Sequence, residues 1–343
     1  MSSARPAPDQ MTIEHLGREA VVATGAVHDA VCLVRSLQER AIVEAFTKAD
    51  ASPVTAIDFA IQALIVARLA RESPHDAVVA EEDASRLRNE SSGTVVRQVV
   101  GIVQRLIPDA HATQVLNWIH AGGGQPGLRF WTLDPIDGTR GLLGGRQYAI
   151  VLALIVDGVV QVGVIGCPRL SLISAAETQA IDRGFAGGGI AVAVREKGAW
   201  WIPAGHNRLV QLAVSSGRAV SAARALTSYE RQHGDAERFD RAIGALGSKV
   251  PPVLMDSQAK HVALASGAAD LLLRFPPQRD FHDAMWDCAA GSLLIAEAGG
   301  RVTDLEGRAL DFTAGRRLLR NEGFLGSNGL LHDAALLAIR GTA

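Results

Sequence analysis

Cysteine is scarce. Cys32, Cys167 and Cys288 are the only three in 343 residues, and no two form a CxxC pair. That spacing excludes a disulfide framework and a zinc-ribbon site, and the three are expected to be small buried apolar residues. Neither sign of charge dominates: 34 Lys and Arg stand against 36 Asp and Glu, for a formal net charge of -2. A nucleic-acid polyanion as main partner is thereby excluded, because such proteins carry a basic surplus; a local basic patch for a small anion is not. No uninterrupted apolar run reaches the roughly 18 residues of a membrane span. The N-terminal stretch MSSARPAPDQMT lacks the apolar core of a signal peptide. Residues 1–11 are read as a disordered tail, and a cytoplasmic location is expected. The Walker A pattern is missing. GGGQPG, Gly122 to Gly127, matches GxGxxG in form only: a dinucleotide fingerprint needs a strand before it and a helix opening within it. Here a helical pattern precedes, Pro126 interrupts and a strand pattern follows, so the segment is a loop.

What is present is a core-forming chain, 48 % hydrophobic and 20 % charged, long enough for one large or two ordinary domains. Ile13 to Phe46 has a helical pattern. After the break KADASPVT, Ser52 is a candidate N-cap and Pro53 a first-turn residue for a helix running to about Arg71. DAVVAEED reads as a strand entering an acidic loop, Val95 to Ile107 as a helix, and LRFWTLD as a strand. YAIVLALIV and VVQVGVIGCP flank Asp157-Gly158, which predicts a type I′ hairpin. GGGIAVAVREKGAW predicts two more strands. IPAGHNR offers a boundary near residue 205, dividing an N-terminal α+β domain (12–205) from a C-terminal α/β domain (206–343). Beyond it LVQLAVSS, AERFDRAIGAL, SQAKHVALASGAADLLLRF, WDCAAGSLLIAEAGG and RVTDLEG alternate strand and helix patterns.

The chemistry is concentrated in acids. In TLDPIDGTRGLL, Asp134 and Asp137 lie three residues apart across Pro135. Two carboxylates placed so close repel one another unless a cation lies between them. Pro135 biases Asp134 toward an extended conformation, and the turn after it lets Asp134, the Ile136 carbonyl and Asp137 converge. These are hard oxygen donors suited to Mg²⁺. Gly138 permits close backbone approach, and a helix starting near Thr139 would offer free N–H groups to a phosphate. Glu81-Glu82-Asp83 ends the strand DAVVA, Asp287 precedes an apolar helix, and Asp50 lies in the KADASP loop. Each alone is equally well a solvated loop acid or a helix cap.

Together, AEED, LDPIDGTRG and WDCAAGSLLIAEAGG resemble, in order and spacing, the lithium-sensitive, Mg²⁺-dependent phosphatases of the inositol monophosphatase superfamily. The likeness extends from about residue 12 over nearly the whole chain. KADASPVTAID, the Ile and Arg of LDPIDGTRG, GGRQYAIVLALIVDG and DSQAKHVALASGAADLLLRFP resemble its 3′(2′),5′-bisphosphate nucleotidase branch. The resemblance implies a layered αβαβα sandwich with the active site between two domains. It implies removal of the 3′-phosphate of adenosine 3′,5′-bisphosphate to give AMP, with 3′-phosphoadenylyl sulfate as a second substrate. The partner is then a small nucleotide bisphosphate, and the cofactor two or three Mg²⁺.

The resemblance also implies roles. Glu81, Asp134 and the Ile136 carbonyl would hold one Mg²⁺; Asp134, Asp137 and Asp287 a second; and a third would lie near Glu81 and Asp50. Asp50 and Thr139 would orient the attacking water, and the N–H groups of Gly138 and Thr139 would hold phosphate. Ser257 and Lys260 match an S-x-x-K stretch that contacts the nucleotide, with His233 and Arg274 as further pocket residues, whereas His282 is read as a loop residue. The pattern is broken at Ala49, where relatives carry an acid, at RDFHDAMWD, which lacks a preceding lysine, and at TSYERQHGD, a loose match to the nucleotide loop. These departures bear on base specificity. Two rivals stand beside this reading: an inositol phosphate phosphatase on the same scaffold, and a catalytically silent nucleotide sensor.

Overall fold

The computed structural model describes residues 11–38, 45–47, 53–87, 93–172, 187–229, 234–278 and 280–341. The strand Ala149–Val156 reads AIVLALIV with no polar interruption, the signature of a strand covered on both faces. Ile150, Leu152 and Leu154 join a core with the helices Arg18–Gln38 and Ala56–Glu72. Their neighbours Ala149, Val151, Ala153 and Ile155 join a second core with the helices Ala259–Ala265 and Ala289–Glu297. The period of two along a strand therefore fills two cores from one sequence.

This strand is third in a seven-stranded sheet, in the order Ala77–Ala80, Arg129–Asp137, Ala149–Val156, Val159–Cys167, Gly189–Val194, Gly198–Pro203, Val210–Gln211. Its first pair is parallel and the others antiparallel. A five-stranded sheet runs Val253–Leu254, Ala225–Thr227, Leu271–Arg274, Phe324–Ser327, Arg301–Thr303. Leu272 and Phe324 face the helices shared with the large sheet. Leu271, Leu273 and Leu325 face the helices Ala236–Leu246 and His332–Arg340 through Phe239, Ile243, Leu336 and Ile339. The layers thus alternate αβαβα, as the resemblance implied. The hairpin at Asp157-Gly158 is present, with both residues at positive φ (50° and 75°).

Several sequence expectations are corrected. The N-terminal helical pattern breaks at Gly17 and ends at Gln38, and Ala45–Thr47 is a strand paired with Pro53–Thr55. Pro53 is therefore not in a first helical turn; Ser52 lies outside the described residues. The helix begins at Ala56, because Thr55 caps it: the Thr55 hydroxyl accepts from the Ile57 N–H while Asp58 accepts from the Thr55 N–H, a reciprocal box that satisfies two otherwise orphaned donors. LVQLAVSS supplies only the two-residue strand Val210–Gln211. Cys32 is exposed, whereas Cys167 and Cys288 are buried. Residues 1–10 of the expected tail lie outside the described residues, and Met11 is buried. The helix Arg18–Gln38 is by length and composition apolar enough to span a membrane, which counting uninterrupted apolar runs missed; 61 % of its apolar window is buried inside the protein.

The middle helical layer is tight. His261 is buried with its ring edge-on to Phe324, centroids 5.0 Å apart, and it lies against Gly291, where a Cβ would sit 2.3 Å from its Cδ2. Burial, then the charges of Lys260 and Arg274, lower its pKa to about 3, so the ring is neutral. Neither a stacked ring nor the Ala289–Glu297 helix can yield cheaply. Gly291→Ala is expected to lower stability by about 1–3 kcal/mol, read as a lower urea midpoint at unchanged slope; an unchanged midpoint would show that the layer accommodates a methyl group.

Candidate active site

The strand Arg129–Asp137 carries the central acids. Asp134 and Asp137, three residues apart, would point to opposite faces of a regular strand. The register prevents this: Asp134 pairs with Val151 but Asp137 with Ala149, so one extra residue is accommodated between them. Such a bulge re-aims side chains, and both carboxylates line one cavity of about 200 Å³. Gly138 follows with φ +85°, and Thr139–Leu143 forms a short helix. A side chain at Gly138 would be strained by that φ and would meet Ser257 Cβ at 3.0 Å. Ser257 is itself at φ +63°, a costly conformation of the kind that clusters at functional sites. It turns the chain so that the Gln258 N–H donates to Asp137 Oδ2.

The other acids arrive from separate elements. Glu81 follows the strand Ala77–Ala80, and its N–H donates to the Leu133 carbonyl (3.1 Å), so it is held beside Asp134. Of the acidic triplet only Glu81 lines the cavity. The Glu82 backbone is clamped by both ends of the Gln62 amide (2.7 and 3.0 Å), and Asp83 caps the following turn through the Ser85 N–H. Asp287 closes a 3₁₀ turn, Met285–Asp287, ahead of the Ala289–Glu297 helix. It accepts from Arg274 (3.2 Å), whose Nε reaches the buried Asp283 at 3.0 Å. The cavity also exposes Lys260, whose Nζ contacts Ser228 Oγ (3.3 Å) and the Met255 carbonyl (3.1 Å).

Electrostatics mark this cluster. Burial raises the pKa of Asp134 well above the usual carboxylate value, and the charges of Glu81, Asp137 and Asp287 raise it further. Burial and Asp287 push Asp137 up to about 6, against the opposing pull of Lys260, the Gln258 N–H and Arg274. Asp134 is 2 % exposed and its Oδ1 has no hydrogen-bond partner. Acids crowded to this cost point to a cation as their missing counter-charge. Carboxylates plus a carbonyl fit a hard divalent ion such as Mg²⁺. Among the described residues no three His, Cys, Asp or Glu side chains are gathered closely enough to hold an ion outright. Asp137 accepts from the Gln258 N–H and Asp287 from Arg274, donors with which an ion would compete. Cys288 also borders the cavity, but burial raises its pKa well above the usual thiol value and it stays protonated.

Thr139 is buried, and its hydroxyl lies 3.2 Å from Asp58 Oδ1 and 3.3 Å from the Ile136 carbonyl. Asp58, 1 % exposed, is the functional candidate that sequence reasoning missed. Its signal was the T-x-x-D box of Thr55 and Asp58 at the head of an apolar helix. Asp50 and His233 lie outside the described residues, and with Asp50 the third-metal expectation. Ser257, Lys260, Arg274 and Gly138 all border the cavity. His282 is a loop residue, its Nδ1 3.4 Å from the Asn321 carbonyl. A second cavity of about 230 Å³ shares Ser228, Leu273 and Arg274 with the first and is walled by Phe239, Leu254 and Phe275.

A model of the inositol monophosphatase family matches residues 18–341. A curated 3′(2′),5′-bisphosphate nucleotidase of Emericella nidulans is 36 % identical over 346 residues, 94 % of this chain and 97 % of its own length. That of Schizosaccharomyces pombe is 38 % identical over 305 residues, 84 % of each chain. Among solved structures, an IMPase of Thermotoga maritima aligns at a TM-score of 0.65, covering 94 % of this chain and 97 % of its own, with 20 % identity. An inositol monophosphatase of Anabaena aligns at 0.61, covering 94 % of each, also with 20 % identity; likeness at that identity speaks to fold alone.

Proposed function

The chain belongs to the inositol monophosphatase family, and from that membership we propose that it is a Mg²⁺-dependent phosphatase of the 3′(2′),5′-bisphosphate nucleotidase type, acting in the cytoplasm. It removes the 3′-phosphate of adenosine 3′,5′-bisphosphate to give AMP, and that of 3′-phosphoadenylyl sulfate in the same way. The observation that carries the reading is 36 % identity to curated nucleotidases over 94 % of the chain. The second cavity is compatible with a nucleoside: Phe239, Leu254 and Phe275 offer an apolar wall to a flat heterocycle, and Asp235 and Asp240 also line it.

In this reading Glu81, Asp134, the Ile136 carbonyl, Asp137 and Asp287 would hold two Mg²⁺, which would supply charge neutralisation for the phosphate and a lowered pKa for the attacking water. The chain's own groups do the rest. Asp58 draws the Thr139 proton, leaving the hydroxyl oxygen to accept from the water and to aim it. The Gly138 and Thr139 N–H groups orient the scissile phosphate. Lys260, Ser257 and Arg274 bind the remainder of the nucleotide, and burial of the acids keeps bulk water from screening the site.

The test is phosphate release with Mg²⁺ from adenosine 3′,5′-bisphosphate, inositol 1-phosphate and inositol 1,4-bisphosphate, each with and without Li⁺. The expected result is a strong preference for the nucleotide, suppressed by Li⁺. Preference for an inositol phosphate would move the substrate assignment while keeping the metal acids. Release from none, with the nucleotide bound, would make the protein a sensor.

A further inference from the structure

The acids of the site come from the large sheet and from the helical layer packed on it, and their separation must be fixed by something other than one continuous strand. Glu81 hangs from the end of Ala77–Ala80, the edge strand of the large sheet. Asp287 sits in the turn before the Ala289–Glu297 helix. One side chain touches the immediate neighbours of both. Arg316 donates through Nη2 to the carbonyl of Ala80, the residue before Glu81, and through Nη1 to the Gly124 carbonyl at 2.9 Å. The Cζ of the same guanidinium lies over the ring of Trp286, the residue before Asp287, 5.1 Å from its centroid. The Arg316 carbonyl accepts from the Met285 N–H (3.1 Å), and the Leu318 N–H donates to the Asp283 carbonyl (2.9 Å), so its backbone is zipped to the strip that ends in Asp287.

We propose that Arg316 is a positioning residue for the metal-binding acids: a strut that sets the distance between Glu81 and Asp287 and so the geometry in which divalent cations are held. The inference rests on the metal reading given above. Arginine suits the place best. Its planar fork reaches two carbonyls at once while its charge lies over the indole, a combination that the point charge of a lysine ammonium matches less well. Trp286 continues the tie, since its carbonyl accepts from the Gln258 side chain (3.0 Å), and the Gln258 N–H holds Asp137. Glu81, Asp287 and Asp137 are thus braced through Arg316 and Trp286, by the guanidinium, the indole ring and the Trp286 carbonyl with Gln258, neither residue needing to touch substrate.

The test is Mg²⁺ titration by calorimetry, without substrate, of wild type, Arg316→Met, Arg316→Lys and Asp134→Asn, together with the Mg²⁺ dependence of turnover. Supporting groups beyond the direct ligands commonly cost 10–100-fold in metal affinity when removed. Arg316→Met is therefore expected to weaken Mg²⁺ binding about 10-fold, with Arg316→Lys between it and wild type, and saturating Mg²⁺ should restore most of the turnover. A packing role alone would lower the melting temperature and leave the Mg²⁺ affinity of folded protein unmoved; that result for Arg316→Met overturns the proposal. So does an unfolded Arg316→Met beside an Arg316→Lys of wild-type affinity. If wild type and Asp134→Asn take up Mg²⁺ alike, the metal reading itself fails and carries this proposal down with it. If Asp134→Asn loses binding and Arg316→Met keeps it, only the strut is wrong.

Discussion

Asp134→Asn is expected to abolish turnover, by on the order of 10³-fold or more, and in Mg²⁺-free buffer to make the protein more stable than wild type. Both results follow from one carboxylate. Asp134 is buried among Glu81, Asp137 and Asp287, and its Oδ1 has no hydrogen-bond partner. Its folded-state pKa therefore lies above that of the unfolded chain. The native state retains a proton that the unfolded state releases, so stability is full below the ordinary aspartate value of about 4 and falls as pH rises through it. An amide has no such dependence, and its NH₂ can donate to the neighbouring carboxylates. The stability gap in favour of Asp134→Asn should thus open from about pH 4 upward and stop widening once the native carboxyl has ionised. Mg²⁺ reverses the order: an ion held at 100 times its dissociation constant adds about 2.7 kcal/mol to wild type and nothing to the variant. Urea denaturation from pH 4 to 8, with EDTA and with Mg²⁺, measures all of this. An Asp134→Asn protein that still turns over, or still gains stability from Mg²⁺, would remove Asp134 from the metal assignment.

The same residue shows what could be read without coordinates. LDPIDGTRG announces a turn and a hard-oxygen donor set through local chemistry, because Pro135 restricts the backbone and Gly138 frees it for a positive φ. The hairpin at Asp157-Gly158 and the helix AERFDRAIGAL are equally local, and the structure has both. The two missing pieces are non-local. Whether Asp134 and Asp137 share a face depends on a register shift against Ala149–Val156, which no periodicity within the strand reveals. Asp58 meets Thr139 across 81 positions of sequence. Its local signal was an acid in the first turn of AIDFAIQALIVARLARE, and a first-turn acid is ordinarily explained by the helix dipole alone. Ser52-Pro53 supplied a competing helix start that was locally just as good. It lost because Pro53–Thr55 pairs with Ala45–Thr47, a tertiary contact that overrides capping preference. Arg316 was invisible for the same reason: its partners Ala80 and Trp286 are nowhere near it in sequence.

Asp58→Asn is expected to leave a folded protein that binds Mg²⁺ and nucleotide but turns over about 10²–10⁴-fold more slowly. Asp58 uses both oxygens. Oδ2 accepts from the Thr55 N–H (2.8 Å) and hydroxyl (2.6 Å), closing the helix cap, and Oδ1 lies 3.2 Å from the Thr139 hydroxyl. Asparagine has one carbonyl oxygen for these two tasks. Two donors at Thr55 will hold that oxygen at the cap, so the NH₂ faces Thr139. The direction of that hydrogen bond then inverts: Thr139 becomes an acceptor from the introduced amide and can no longer pass its proton toward the acid while accepting from water. The cap survives, so the loss of stability should be no more than about 1 kcal/mol, and the defect should appear in kcat at saturating Mg²⁺ rather than in KM. Thr139→Ser keeps the hydroxyl and should retain most activity, whereas Thr139→Val should match Asp58→Asn. Asp50→Asn is the decisive companion, since the resemblance assigns Asp50 as the partner of Thr139. Activity lost in Asp50→Asn and kept in Asp58→Asn would return that role to Asp50. The reverse would fix the water-orienting pair as Asp58 and Thr139, with the acid carried on the first turn of a buried helix whose cap it also closes.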